Sequence, residues 1–477
     1  MRVSATTADP PDTGADTVVV GLFEGKGVAH DVADGTLQRL VDSGEARRRF
    51  RSLAVVHAEG KRWVLVGLGE RDRFDAERAR VASALALGRA RELSAKTVCW
   101  EVPHKVDDAV VAGLVEGALL GAYRFDAFKS KPADDDASRV EELVVSAHHD
   151  VSAPVDRAAT VARFVNLARD LQNTPANHMT PTILADRARA LEGVEVEVEG
   201  REQIVARGMG AFAAVAQGTY EEPALITIRY RGGGGEGDGF ALGLVGKAVT
   251  FDTGGISIKP GASMQDMKFD MSGGAAVIAA MGAIAALGLP VDVVGVIGST
   301  ENMPSGRSVK PGDVVTAMTG TTIEVNNTDA EGRMVLADCL ARAVELGAER
   351  IVDVATLTGA IKTALGSTYA GLMANDDEWA ARVEDAARAA GDPVWRLPLH
   401  EEYAELIKGR YGDISNIVES RKAGSITAAE FLQRFVGDTP WAHVDIAATA
   451  WDVGRPYAPK GGTGVGVRLL VELATRL

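Results

Sequence analysis

The sequence is poor in the residues that most often do chemistry. Only two cysteines occur among 477 residues, Cys99 and Cys339. Two scattered thiols exclude a disulfide framework and a thiolate zinc site, and the plain reading is two reduced, mostly buried side chains. Histidine, the usual general base and the commonest zinc ligand, is scarce. The chain has eight, none between His178 and His400, so a site built in that stretch works without histidine. There is no basic surplus either. Against 51 Lys and Arg stand 66 Asp and Glu, for a net charge of −15. Nonspecific nucleic-acid binding needs the opposite balance. The only dense basic cluster of the N-terminal part, Arg47-Arg48-Arg49-Phe50-Arg51, reads as a solvated helix face. Met1 to Gly14 is polar, with Pro10 and Pro11 and no apolar h-region. No secretory signal is expected, and the expected location is cytoplasmic. One apolar run, Ala275 to Leu289, is too short to span a bilayer and ends at Pro290 and Asp292. It reads as a buried helix leading into a strand at Val293 to Ile297, with no membrane partner.

Several catalytic signatures are also missing. H-E-x-x-H fails at His400-Glu401-Glu402-Tyr403-Ala404, which ends in the wrong residue. G-x-S-x-G fails because Gly255-Ile256-Ser257-Ile258 is followed by Lys259. A phosphate-binding Walker A loop fails at Gly246-Lys247-Ala248 for want of Ser or Thr, and Ala241 replaces the first glycine. Serine-hydrolase, zincin and nucleotidase chemistry are thereby disfavoured. Carboxylate–metal chemistry is left.

What the chain does have is alternation of strands and helices. Thr17 to Leu22, Arg62 to Gly67, Thr97 to Val102 and Glu142 to Ser146 read as strands, and Ala76 to Leu93 and Asp107 to Tyr123 as helices. That alternation predicts a mostly parallel sheet. A charged loop, Lys129 to Ser138, precedes the last strand. Arg157 to Leu171 has helical periodicity and reads as a connection between domains. Beyond it, strands are expected at Val194 to Val198, Leu225 to Tyr230, Phe240 to Val245, Val293 to Ile297, Ile351 to Thr356 and His443 to Ile446. The Gly-rich segment Gly232 to Gly239 reads as a flexible hairpin connection. The fold class is α/β in two domains. Expected bounds are 1–155 for the first, 156–176 for the connecting helix and 177–477 for the second.

Three segments gather acids. Strand residues Gly246 to Asp252 deliver Lys247 and Asp252 to a glycine turn, where α/β proteins place ligands. Met267 to Gly274 sets Asp270 at the start of the apolar helix, with Asp266 four residues before it. Asn327-Thr328-Asp329-Ala330-Glu331-Gly332-Arg333 opens a helical stretch, Met334 to Leu346. Each has a plain structural reading. Asp252 can be a turn residue, Asp270 a helix-dipole acid, Asp266 a solvated one, and Asp329 and Glu331 caps. A lysine inside an apolar strand is harder to dismiss, since burying Lys247 charged and unpaired is costly. Burial beside cations lowers an amine's pKa and lets it act as a ligand.

Together the segments resemble the leucyl (cytosol) aminopeptidase family of dinuclear-metal exopeptidases. The resemblance rests on GKAVTFDTGGISIKP (Gly246 to Pro260), MKFDMSGGAAV (Met267 to Val277), NTDAEGR, ATLTGA (Ala355 to Ala360), WAHVDIAATAW (Trp441 to Trp451) and TGVGVRLL (Thr463 to Leu470), and NLARDLQNTPAN (Asn166 to Asn177) matches the interdomain segment. It covers the chain from about Asn166 to the C-terminus. Ala248 stands where the family often has Gly, Thr253 where Ser is common, Gly274 where Ala is common, and Ala448 where Gly is usual.

The resemblance implies a smaller N-terminal macro-like domain and a larger catalytic domain with a mixed central sheet flanked by helices. It implies two divalent cations, manganese or zinc, with Asp252 and Glu331 bridging both. Lys247 and Asp270 would complete the tighter site and Asp329 the more exchangeable one. Lys259 would stabilise the oxyanion, and Arg333 would hold a bicarbonate-like anion that shuttles the proton. Met267, Thr356, Leu357 and Gly359 would contact substrate, a peptide with a free N-terminal amine and preferably Leu or another apolar residue first. Met267 reads almost equally well as core packing. A homohexamer is implied. A DNA-binding role, known for some relatives, is the alternative reading, and the acidic charge makes nucleic acid a minor one.

Overall fold

A computed structural model describes residues 1–131, 139–234, 239–420 and 422–477. Most of the charged loop read at Lys129 to Ser138 lies outside these residues. The chain forms two compact units, Met1–Asn166 with Gly454–Pro459, and Leu167–Val453 with Lys460–Leu477. The boundary falls within the helix Ser152–Asn173.

The first unit is built on six strands: β1 (Arg2–Thr6), β2 (Thr17–Phe23), β3 (Leu53–Ala58), β4 (Lys61–Gly69), β5 (Thr97–Glu101) and β6 (Glu142–Ser146). Their order is β1-β6-β5-β2-β4-β3, and every pair is parallel except β3 with β4. Both faces are covered. Val19, Val64, Val66 and Trp100 belong to one core cluster, and Val18, Val20, Trp63, Leu65 and Cys99 to another. Side chains alternate across a strand, so a run such as Val18-Val19-Val20 feeds both cores. The helices Ala76–Glu92 and Asp108–Gly121 begin where Asp75 and Asp107 accept the backbone N–H of Arg78 and Val110.

Sequence reading missed β1 and β3. β3 is joined to β4 by Glu59-Gly60, both at positive φ, a tight hairpin turn legible in principle. β1 is a short edge strand inside a segment read only as polar. The basic cluster Arg47 to Arg51 is a correction. It is not a helix face: the helix Thr36–Asp42 has ended, and Arg51 has a positive φ. The segment hydrogen-bonds along β4, with Arg51 N–H donating to Gly67 O and Gly69 N–H to Arg48 O.

The second unit adds β7 (Glu195–Glu199), β8 (Ala224–Arg231), β9 (Leu242–Asp252), β10 (Asp292–Asn302), β11 (Asp313–Thr316), β12 (Thr322–Val325), β13 (Ile351–Ala355), β14 (Ala370–Ala374), β15 (Val394–Arg396), β16 (Ile414–Ser415) and β17 (Trp441–Asp445). Eight of these form a mixed sheet in the order β15-β14-β17-β13-β9-β10-β8-β7, and β11, β12 and β16 form a small second sheet. The expected hairpin across Gly232 to Gly239 is a second correction; residues 235–238 of that segment lie outside the described residues. β8 and β9 do not pair, because β10 lies between them, antiparallel to β8 and parallel to β9. The helix Ser272–Ala286 carries the chain from β9 to its parallel neighbour β10, and β10 takes the position a hairpin partner would have used. This helix is the apolar run of the sequence, and its residues 272–284 are all buried.

Candidate metal centre

β17, β13, β9 and β10 are consecutive in the sheet; β9 carries Lys247 and ends at Asp252, and Thr356 directly follows β13. Ten of the 11 residues of β9 are buried, Lys247 and Asp252 among them. Asp270 sits at the end of a 3-10 helix, Met264–Met271. At about three residues per turn, Asp266 and Asp270 do not share a face. Asp266 is half-buried outside the cluster, while Asp270 is buried. Glu331 is the first residue of the helix Glu331–Glu345, whose start has no side-chain cap. The acids of the central heptad are therefore not caps.

The charged groups converge. Lys247 Nζ lies 2.8 Å from Asp270 Oδ1 and 2.7 Å from Glu331 Oε1, and it donates to Thr356 O at 2.9 Å. Lys259 Nζ lies 2.7 Å from Asp252 Oδ2 and pairs closely with Asp329 Oδ1. Carboxylate oxygens of Asp252, Asp329 and Glu331 all lie within 4.8 Å of one another. The turn reading of Asp252 holds as well: its Oδ1 accepts from Gly254 N–H at 2.8 Å. One oxygen serves the turn and the other faces the cluster. Gly332 explains how the lysine fits, since a Cβ there would stand 2.6 Å from Lys247 Nζ.

Electrostatics follow from burial. Burial raises the Asp252 carboxyl to about 6, Glu331 adding to it and Lys259 and Lys247 opposing. Burial likewise raises Asp270 and Asp329. For Glu331 burial is outweighed by Lys247 and Lys259, which hold it below its usual value. Burial alone would lower both lysines, but Asp270, Glu331 and Asp252 keep Lys247 raised, and Asp252, Glu331 and Asp329 keep Lys259 raised. The carboxylates thus favour the ammonium form of Lys247, and acting as a neutral amine ligand requires cations to reverse that balance.

The donor set fits divalent cations. Four carboxylates face two lysines in a buried space, and Asp270 Oδ2 is buried with no hydrogen-bond partner. A buried carboxylate oxygen without a donor is costly, and a metal ion satisfies it. Oxygen-rich sites of this kind suit manganese, magnesium or zinc.

Arg333 is buried. Its Nη1 donates to Asn416 O at 2.7 Å, and its Nε has no partner. Burial lowers it to about 10, against Glu331 and Asp445. Thr356 is buried and donates to Asp270 Oδ1 at 2.8 Å. Leu357 is half-buried, and Gly359 is exposed at the start of the helix Gly359–Leu365. Met267 is half-buried and outside the charged network.

The model of the cytosol aminopeptidase family catalytic domain matches residues 166–471, and that of the family's N-terminal domain matches residues 19–132. The chain belongs to the cytosol aminopeptidase family. A probable cytosol aminopeptidase of Roseiflexus castenholzii is 44% identical over 99% of this chain and 98% of its own length. One from a Geobacter species is 40% identical over 100% of both chains. Among solved structures, a tomato leucine aminopeptidase mutant has a TM-score of 0.90 at 30% identity, covering 100% of this chain and 97% of its own. The bottromycin maturation enzyme BotP in complex with Mn has a TM-score of 0.87 at 35% identity, covering 97% and 99%. Like its family, this chain is a metal-dependent aminopeptidase.

Two departures from the family's usual residues explain each other. A Cβ on Gly274 would stand 2.6 Å from the Cβ of Ala248. The two positions have room for one methyl between them, and here the strand carries it.

Three residues that support the candidate site were assigned no role from the sequence, although Asp445 lies inside the WAHVDIAATAW motif. Asn302, at the end of β10, donates to Asp252 Oδ1 at 2.8 Å and to Thr328 O at 3.0 Å. Asn416 accepts from Asn326 and Asn327 N–H and donates back to Asn327 O. Asp445, at the end of β17, accepts from Leu357 N–H at 3.1 Å and Thr358 Oγ1 at 2.6 Å. It fixes the loop whose Thr356 touches both Lys247 and Asp270. Only the strand pairing could have placed them.

Proposed function

We propose that this aminopeptidase releases N-terminal Leu and other apolar residues from peptides at a two-cation site. Lys247, Asp252, Asp270, Asp329 and Glu331 would hold the cations. The observation that carries this reading is the convergence of four carboxylates around two lysines, with a buried Asp270 oxygen left without a donor. Manganese or zinc held there would supply Lewis-acid activation of a water and of the scissile carbonyl, and a contact for the free α-amine. A blocked amine would lack that contact, so selectivity for chain ends is expected.

The chain's own residues do the rest. Asn302 and the Gly254 N–H fix one oxygen of Asp252, so the other keeps its direction. Thr356 Oγ1 does the same for Asp270. Lys259 keeps its charge among three acids and offers it to the oxyanion that develops on the substrate. Arg333, with its free Nε, would hold a bicarbonate-like anion, which supplies the proton transfer that histidine performs elsewhere. The loop Thr356 to Gly359, held by Asp445, would bind the substrate backbone, and Met267 would line an apolar pocket for the first side chain. We further propose a cytoplasmic homohexamer.

The test is cleavage of Leu-p-nitroanilide after adding Mn²⁺ or Zn²⁺, with EDTA and an N-acetylated substrate as controls. Cleavage that is metal-dependent and confined to the free amine is expected. Equal cleavage of the acetylated substrate overturns the reading.

A further inference from the structure

The first unit contains a histidine cluster that the peptidase reaction does not use. β6, β5 and β2 are adjacent parallel strands, and a histidine lies in the segment that follows each: His148 two residues after β6, His104 three after β5, and His30 seven after β2. β5 itself ends in Glu101. Carboxyl ends of parallel strands are where open α/β sheets receive ligands.

The rings are neighbours. The His30 and His148 centroids are 5.5 Å apart, and those of His104 and His148 are 5.3 Å apart. Two imidazoles on one tetrahedral zinc, with bonds of ~2.0–2.1 Å, have centroids about 5 Å apart. His30 Nδ1 lies 2.5 Å from Glu101 Oε1. A carboxylate on Nδ1 fixes the tautomer that leaves Nε2 free for a metal, the usual support of a zinc histidine. Glu101 is 6% exposed, and its second oxygen, Oε2, is buried without a partner. Burial raises the Glu101 carboxyl above its usual value, and the nearby His30 and His148 oppose that shift. A buried carboxylate with one oxygen unpartnered, set behind three imidazoles, is the support a metal-bound histidine needs.

We propose that His30, His104 and His148, supported by Glu101, bind a zinc ion in the N-terminal unit. Among the described residues, only the Asp252 group has ligand atoms already within 4.8 Å of one another. Zinc binding at the histidines therefore requires the exposed His104 and His148 rings to rotate until their nitrogens converge. Exposed side chains do this on a picosecond-to-nanosecond timescale. Imidazole nitrogen suits zinc, whereas an oxygen-rich donor set suits manganese equally well, and this difference separates the two sites.

The experiment is equilibrium dialysis of the full-length, manganese-loaded enzyme against low-micromolar zinc, with metal counted per chain. The wild type is expected to hold one more zinc than the His104→Ala/His148→Ala variant, while manganese-dependent cleavage of Leu-p-nitroanilide is equal in both. Glu101→Gln should weaken the extra zinc about 10- to 100-fold and leave its number unchanged at saturation. Equal zinc counts in wild type and double variant overturn the proposal. So does an equal loss in His149→Ala, which removes a neighbouring exposed histidine outside the cluster.

Discussion

The Ala248–Gly274 contact allows a prediction in which each term can be worked out. In Gly274→Ala the new Cβ meets Ala248 Cβ at 2.6 Å and Ile297 Cγ2 at 2.8 Å, with Lys247 O at 3.4 Å. The first contact is between a strand and a helix that are both buried, so neither retreats cheaply. Overpacking of this kind costs about 1–3 kcal/mol. Ala248→Gly alone removes one buried methyl from a strand, at about 1–2 kcal/mol from lost burial and added backbone freedom. Combined, the substitutions return the methyl to the helix side and remove the worst clash, leaving only the Ile297 contact. The double variant should therefore be about 1–3 kcal/mol more stable than the singles sum to. Thermal unfolding at one fixed scan rate measures this, at roughly 1–2 °C per kcal/mol for a unit of about 300 residues. Gly274→Ala should also lose activity, because Ala248 follows Lys247 directly and any shift of β9 moves the amine. Ala248→Gly should restore that activity. Strictly additive Tm shifts, or a fully stable and active Gly274→Ala single variant, would refute the packing argument.

Other substitutions probe the chemistry. Lys259→Met should lower kcat about 10²–10³-fold with little change in KM, as expected for a group that acts on developing charge; a pure KM effect would reassign it to binding. Asn302→Leu should raise the manganese concentration needed for half activation about 10- to 100-fold, because Asp252 and Thr328 lose their shared donor. An unchanged activation curve would remove Asn302 from the site's support. Asp445→Asn should lower kcat/KM about 10- to 100-fold, since hydrogen bonds to a charged group contribute about 1.5–3 kcal/mol. Steady-state kinetics on Leu-p-nitroanilide with saturating metal decides it, and wild-type values would show that the Leu357–Thr358 loop holds its shape unaided.

Much of this molecule was legible before any coordinates. Strands such as Thr17–Phe23 and Glu142–Ser146 stood out because they are short, apolar and bounded by turns. Lys247 stood out because an apolar strand does not carry a lysine without a partner, and the structure supplies two acids for it. What failed was whatever depends on neighbours distant in sequence. The Gly-rich segment looked like a hairpin because nothing local reveals that β10 pairs between β8 and β9. Arg47 to Arg51 looked helical because charge density says nothing of a backbone that pairs with β4. Asn302, Asn416 and Asp445 are ordinary polar residues until strand register brings them under the acids. His30, His104 and His148 are separated by 74 and 44 positions, and only the order of three parallel strands unites them.

The central claim is that Lys247, Asp252, Asp270, Asp329 and Glu331 hold two cations. Anomalous diffraction at the manganese edge from manganese-loaded crystals tests it most directly, with Glu331→Gln alongside. The wild type should show two peaks per chain among these five side chains, and the variant should lose occupancy together with activity. A single peak, peaks elsewhere, or a Glu331→Gln enzyme with both ions and full activity would contradict it.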